Sequence, residues 1–411
     1  MFIRVVSILA LSLPIAAATP RRVILNASAG GSARYIIALD DDVVDVSIAA
    51  DALTQKHHAR LTHQFVRALH GFTAEMTAPE AAALLNEPGV KYIEQDSMGG
   101  GGSIGEPAVL DVQRSPVWGL DRIDQRDLPL NQTYVYNQTG AGVTAYVLDS
   151  GINASHNDFG GRVRSGFNFS TTLPPSDCNG HGTHVAGILG GSQHGVAKEV
   201  SLVSLRVLDC QNRGFVSDMV KGIEWAINDH QSGQPAVMNI SIYTDSPSAS
   251  FDAAINAAIA GGITVCVIAG NGTANNGVAT DACTISPARV SNAITVSATN
   301  ILDSRSSFAN FGPCVDLFAP GEQIESDWYS SNTATAIDSG TSMAAPHVTG
   351  AAALYLQNYP SAFPSTVAAA LIEAASVNKV QNAGLSSPNR LLFTVDTEPP
   401  PPLRRRAVKS P

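Results

Sequence analysis

From Val143 onward the chain carries short apolar runs of the kind that form strands buried on both faces. They are VTAYVL (143–148), VSLVSLRVL (200–208), AVMNISI (236–242), ITVCVIA (263–269) and AITVSA (293–298). Segments of helical period lie between several of them. Val216, Met219, Val220, Ile223 and Ile227 share one helix face that Gly233 closes, and Ile255, Ala258 and Ile259 repeat the pattern before Gly261. Strand and helix in alternation predict an α/β domain, a doubly wound, mostly parallel sheet with helices on both faces. The ligand crevice of such a sheet lies beyond the carboxyl ends of its strands, so side chains with chemistry to perform are expected just after them.

Upstream the pattern is different. RYIIAL, a helical stretch to about Arg60, FVRALHGFTAEM, APEAAALLNE and VKYIEQ give a β-α-β-β-α-β order, which fits a small ferredoxin-like α+β module with its core at residues 34–96. Residues 1–18 pair one arginine and an apolar stretch with small residues at Ala16 and Ala18, the layout of a secretory signal peptide. Gly99 to Ser103 reads as a flexible, protease-accessible linker, and four prolines followed by Arg404, Arg405 and Arg406 mark an extended tail. The expected divisions are therefore 1–18, 19–98, a linker over 99–116, a large domain over 117–395 and a tail over 396–411.

Composition narrows the function classes. A chain of 411 residues with 44% hydrophobic and 15% charged content can bury a sizeable core. Its net charge of −10 argues against general affinity for nucleic acid or anionic membranes. No apolar run beyond the leader approaches the roughly 18 residues of a membrane span, so a soluble, exported product is expected. Five cysteines are too few for a disulfide scaffold, and their odd number leaves at least one unpaired within the chain.

Three segments carry the candidate chemistry. Asp149 follows VTAYVL directly; His181 stands among glycines in NGHGTHVAG; Ser342 lies in GTSMAAPHVTG, at a helix start. Taken singly, each has a plain structural reading: a turn, half of a zinc pair with His184, an N-cap. The zinc reading lacks a third ligand at a recognisable spacing and the glutamate of a metalloprotease helix. Together, Asp, His and Ser in that chain order follow the order of subtilisin. With VLDSGI, NGHGTHVAG and GTSMAAPHVTG in place, the chain from about Val117 to Val377 resembles the subtilisin-like serine proteases, most closely their secreted proteinase K branch. Residues 34–96 are similar to the inhibitory propeptide of these enzymes.

The resemblance implies a secreted serine endopeptidase made as a preproprotein, whose propeptide inhibits it until cleavage between about Gly99 and Arg114. It implies Ser342 as nucleophile, His181 as proton shuttle, Asp149 as its orienting partner and Asn271 as oxyanion donor. It also implies polypeptide substrates, a monomeric mature form and no cofactor for catalysis. Substrate-binding positions carry over to Ser241, Ile242, Tyr243, Gly214, Ala269 and Gly270. Where the family runs Ser-Leu-Gly-Gly, Tyr243 replaces the first glycine, and Ile268 precedes Ala269; both are expected to narrow the cleft. That narrowing leaves an alternative, a protease-like protein that only binds peptides. Cys178 with Cys210 and Cys283 with Cys314 match positions bridged in the branch, leaving Cys266 as a buried thiol. Asp316, with carbonyls near Ser291 and Ala293, matches a structural calcium site. Among seven N-x-Ser/Thr sequons, Asn131, Asn137 and Asn168 are the expected glycan acceptors, whereas Asn26 and Asn153 carry no assignment, Asn239 falls in a buried strand and Asn271 in the active site.

Overall fold

Within Thr144–Asp149 the pleat sends Ala145 and Val147 to one face and Tyr146 and Leu148 to the other, and all four are buried. The unbroken apolar run thus belongs to a strand covered on both sides. The computed structural model describes residues 23–24, 32–65, 70–96, 111–170, 172–173, 176–244, 246–272 and 277–394. The proposed signal peptide, the Gly99–Ser103 linker, the tail from residue 396 and the Asn26 sequon lie outside the described residues. The chain divides into two units, Met1–Gly105 and Glu106–Pro411.

The first unit contains β1 (Val23–Ile24), β2 (Ala33–Leu39), α1 (Val46–Lys56), β3 (Arg60–Phe65), β4 (Gly71–Met76), α2 (Ala78–Leu84) and β5 (Val90–Gln95), with sheet order β1-β5-β2-β4-β3. Ile37, Phe72, Leu84 and Ile93 form the centre of its core. Asp45 caps α1 by accepting from the Ser47 and Ile48 N–H groups, and Thr77 with Glu80 forms a capping box on α2. The β-α-β-β-α-β order holds from β2 to β5, with β1 added parallel to β5. Arg60 begins β3 instead of ending the helix, because α1 stops at Lys56.

The second unit contains β6 (Asp111–Arg114), α3 (Trp118–Ile123), β7 (Thr133–Tyr136), β8 (Thr144–Asp149), β9 (Val163–Asn168), α4 (His181–Gly190), β10 (Ser201–Arg206), α5 (Val216–Asp229), β11 (Ala236–Ile240), α6 (Ala249–Ala260), β12 (Thr264–Ile268), β13 (Ile294–Thr299), β14 (Leu317–Pro320), β15 (Ile324–Asp327), β16 (Thr335–Asp338), α7 (Thr341–Asn358), α8 (Pro364–Ala374), β17 (Ser376–Val377) and β18 (Arg390–Leu391). Nine strands form one sheet in the order β17-β18-β14-β13-β12-β11-β8-β10-β9, parallel throughout except for β17. Helices α4, α7 and α8 pack on one face, and α5 and α6 on the other. From β8 the chain builds β9 and β10 to one side, then β11 to β14 to the other. That reversal opens a crevice at the carboxyl end of β8.

Three boundaries differ from the sequence reading. The stretch 111–116, read as linker, includes β6, a short polar strand paired antiparallel with β7 inside the second unit. Helix α5 ends at Asp229 because His230 is already extended, and Gly233 (φ 86°) serves the next turn instead. After α6 it is Gly262 (φ 98°), not Gly261, that takes the left-handed conformation. Among the described residues, no helix is long and apolar enough to cross a membrane.

Candidate active site

Asp149 ends β8 fully buried, and His181 Nδ1–H donates to its Oδ1 at 2.8 Å, with Oδ2 at 3.0 Å. His181 is the first residue of α4. Its neighbour Gly182 packs directly on the loop behind Asp149, since a Cβ there would lie 2.2 Å from the Gly151 carbonyl oxygen. Asp177 secures the start of the helix: its Oδ2 accepts from the Thr183 N–H and hydroxyl, and its Oδ1 from the N–H groups of Asn179 and Gly180. The sequence reading passed over Asp177, although an aspartate ahead of a glycine-rich helix start is the signal a cap leaves.

Burial opposes a charge on the His181 imidazole, but the Asp149 carboxylate, aided by Asp338 and Asp177, outweighs it and holds the group above its ordinary value of 6.5. A base must be neutral to accept a proton, so kcat/KM should fall as pH drops through this raised pKa. Removing the negative charge in Asp338→Asn lowers that pKa, and the acid limb of a pH profile should move to lower pH. A limb that stays in place would contradict the assignment.

Ser342 is the second residue of α7, and its Oγ–H donates to the Ser241 carbonyl at 3.3 Å rather than to His181. Among the described residues the Ser342 hydroxyl and the His181 ring share no hydrogen bond, although both line the same cleft. Four residues on, Pro346 has no N–H to offer the Ser342 carbonyl. The Ser241 hydroxyl takes its place, donating to that carbonyl at 2.9 Å. Asn239 Nδ2 donates to the Ser241 hydroxyl in turn, while Thr349 donates to Asn239 Oδ1. This accounts for a buried Asn239, whose amide is committed within the core.

Asn271 sits in the turn after β12. Its Oδ1 accepts both the N–H and the hydroxyl of Thr341, each at 2.8 Å, which fixes the orientation of the amide. Gly270 beside it has φ 97°, and a Cβ there would strike Ile285 and Asn310. His181, Asn271 and Ser342 line one cleft of about 580 Å³.

Residues 140–391 match the Subtilase family and residues 34–98 the Peptidase inhibitor I9 family. The chain is 50% identical over 337 residues to an extracellular serine proteinase of Thermus sp. (strain Rt41A), covering 82% of this chain and 78% of that one. It is 44% identical to alkaline serine exoprotease A of Vibrio alginolyticus, covering 84% of this chain but only 62% of the relative. The chain belongs to the subtilase family. A solved structure of a cold-adapted subtilisin-like serine proteinase matches with a TM-score of 0.64 and 46% identity, covering 69% of this chain and all but 1% of the other. The protein is a serine endopeptidase, and the doubly wound α/β expectation holds.

The walls of the subtilase cleft agree only in part with the sequence reading. Ser241, Ile242 and Tyr243 form one wall, with Tyr243 exposed by 41%, and Arg213 and Gly214 lie on the other. Ile268 does not narrow the cleft: it is fully buried in the core that packs under α7, because the alternation of β12 turns it to that face. Ala269 is likewise buried, beside Ala282 and Phe318, and neither it nor Gly270 is on the cleft wall. Phe215, 79% exposed, lines the cleft unannounced; an aromatic just after Gly214 was its only sign in the sequence.

Disulfides join Cys178 to Cys210 and Cys283 to Cys314. The first ties the segment before His181 to the one that leads into Gly214. Cys266 is buried and free, and burial pushes its thiol up to about 12. Asp316 accepts the Thr295 N–H at 2.8 Å, and burial raises its carboxyl to about 6. A half-buried carboxylate with one side-chain hydrogen bond suits a hard cation. Asp124 Oδ1 and Gln125 Oε1 are also buried without partners, an oxygen-rich group the sequence reading missed.

Proposed function

We propose that Ser342, His181, Asp149 and Asn271 hydrolyse polypeptides through an acyl-enzyme. Ser342 attacks the scissile carbonyl as His181 takes its proton, and Asp149 holds the imidazole in the tautomer that can do so. Asn271 Nδ2 and the Ser342 N–H, at the positive end of α7, receive the oxyanion; His181 then protonates the leaving amine and water releases the acid. The observation that carries this reading is the buried Asp149–His181 hydrogen bond opening into the cleft that also holds Ser342 and Asn271. A fluorophosphonate should label the purified protein, and Ser342→Ala should lose the label. A wild-type protein that stays unlabelled would favour the peptide-binding alternative.

The same proposal covers the biogenesis. Residues 1–18 direct export, 19–98 act as an intramolecular inhibitor, and cleavage falls before Asp111, because β6 pairs within the second unit. The mature protein would be an extracellular monomer with an appended basic tail. Calcium, where bound, would be held by Asp316 with the carbonyls of Ser291 and Ala293 and would stiffen that loop without touching the chemistry. An unfolding temperature indifferent to a calcium chelator would count against it.

Tyr243 makes the enzyme selective. Its ring projects from the strand wall where glycines would let a peptide lie flat. Tyr243→Gly should raise kcat/KM for substrates with bulky side chains about tenfold, the scale of a pocket-size change. A peptide-library digest with unchanged preferences would refute this role.

A further inference from the structure

Away from the cleft, three elements of the second unit bring a nitrogen-and-oxygen cluster together. Asp158 lies on the short helical turn Asn157–Phe159, His194 in the loop after α4, and Asp327 at the end of β15. One ligand atom from each lies within 4.8 Å of the others. His194 Nδ1 is 3.3 Å from Asp158 Oδ2 and 2.8 Å from Asp327 Oδ1. His156 stands on the far side of Asp327, its Nδ1 3.5 Å from the same Oδ1. Its Nε2–H donates to the Ala334 carbonyl at 3.0 Å, which fixes the tautomer, and its Nδ1 caps the Asn157–Phe159 turn by accepting the Asp158 N–H at 3.3 Å.

Two buried or nearly buried carboxylates meet in the cluster. Among the described residues neither carboxylate is paired with lysine or arginine; histidines are their only ionic partners. Asp327 is fully buried, and its Oδ2 has no hydrogen-bond partner. Buried carboxylates are retained when paired or bound to metal. Bonds of about 2.0–2.1 Å around a tetrahedral zinc place its ligands roughly 3.3 Å apart. The separations of 2.8 and 3.3 Å lie near that spacing. An imidazole nitrogen with two carboxylates suits zinc, whereas calcium takes roughly six to eight oxygens.

We propose that Asp158, His194 and Asp327 form a structural Zn²⁺ site. None of the three lines the cleft. The site is already braced around the ion's place, because Asp158 Oδ1 accepts the Gln193 N–H at 2.7 Å. The ion would clip together segments 36 and 133 residues apart, joining β15 to the loop that follows the helix of His181.

The test uses the full-length secreted protein, its serine blocked with a sulfonyl fluoride and stripped with a chelator. Titration with Zn²⁺ by calorimetry and with Co²⁺ by visible absorption should show one tight site per chain, a tetrahedral cobalt spectrum and a zinc-dependent rise in unfolding temperature. His194→Gln and Asp327→Asn should each weaken binding about a hundredfold, a loss of the order that replacing a zinc-site partner produces. His181→Ala should leave it unchanged, which separates this site from zinc held by the catalytic histidine. Absence of a tetrahedral spectrum in the wild type, or zinc binding that survives His194→Gln or disappears with His181→Ala, would overturn the proposal. The wild-type spectrum decides the matter even where a variant does not fold.

Discussion

His181→Ala should lower kcat about a millionfold, a size known from subtilisin, another member of the family, rather than derived from this chain. The reason is chemical. A serine hydroxyl is a weak nucleophile at neutral pH, and no other described group shares His181's place between the buried Asp149 and the cleft that Ser342 enters. Ser342→Ala should cost about as much, and the double variant no more, because the two residues act as one unit. Among the described residues the His181 side chain bonds only Asp149, so the fold should survive; circular dichroism and thermal unfolding provide the check. Peptidase assays on active-site-titrated protein decide the matter, and a loss under a hundredfold would remove His181 from its proposed role.

Asn271→Ala should reduce kcat by roughly a hundred- to a thousandfold with little change in KM, since an oxyanion donor acts on charge present only in the transition state. The orientation makes this a sharp expectation. With Thr341 N–H and hydroxyl both pinning Oδ1, the amide cannot flip without losing two hydrogen bonds. Thr341→Val, which removes one of them, should produce a smaller fall in the same direction by loosening the amide. A rise in KM that matched the fall in kcat/KM would instead make Asn271 a ground-state binding residue.

The fold and the residues of the candidate site were legible because both leave short-range marks. Buried strands appear as apolar runs, and Asp149, His181 and Ser342 lie inside distinctive local sequences. What escaped depends on direction or distance. Ile268 and Tyr243 were read alike as obstructions, but the pleat of β12 turns Ile268 into the core while Tyr243, three residues past β11, lines the cleft. The hairpin of β15 and β16 has no apolar run to announce it, its outer residues Glu325 and Ile337 being exposed. Asp327, at its end, meets His194 from 133 residues away, a pairing no local pattern encodes. Phe215 looks like an ordinary apolar residue before a helix until the fold places it over the cleft.

The proline in α7 has an implication for the order in which the enzyme becomes dangerous. A helix formed by α7 alone would leave the Ser342 carbonyl unanswered, because the missing backbone bond is replaced by Ser241, just past β11 and 101 residues earlier. Closing so long a loop is slow compared with winding a helix. Cutting power thus arrives with the docking of remote chain rather than with local structure, so a half-made molecule stays harmless to its neighbours.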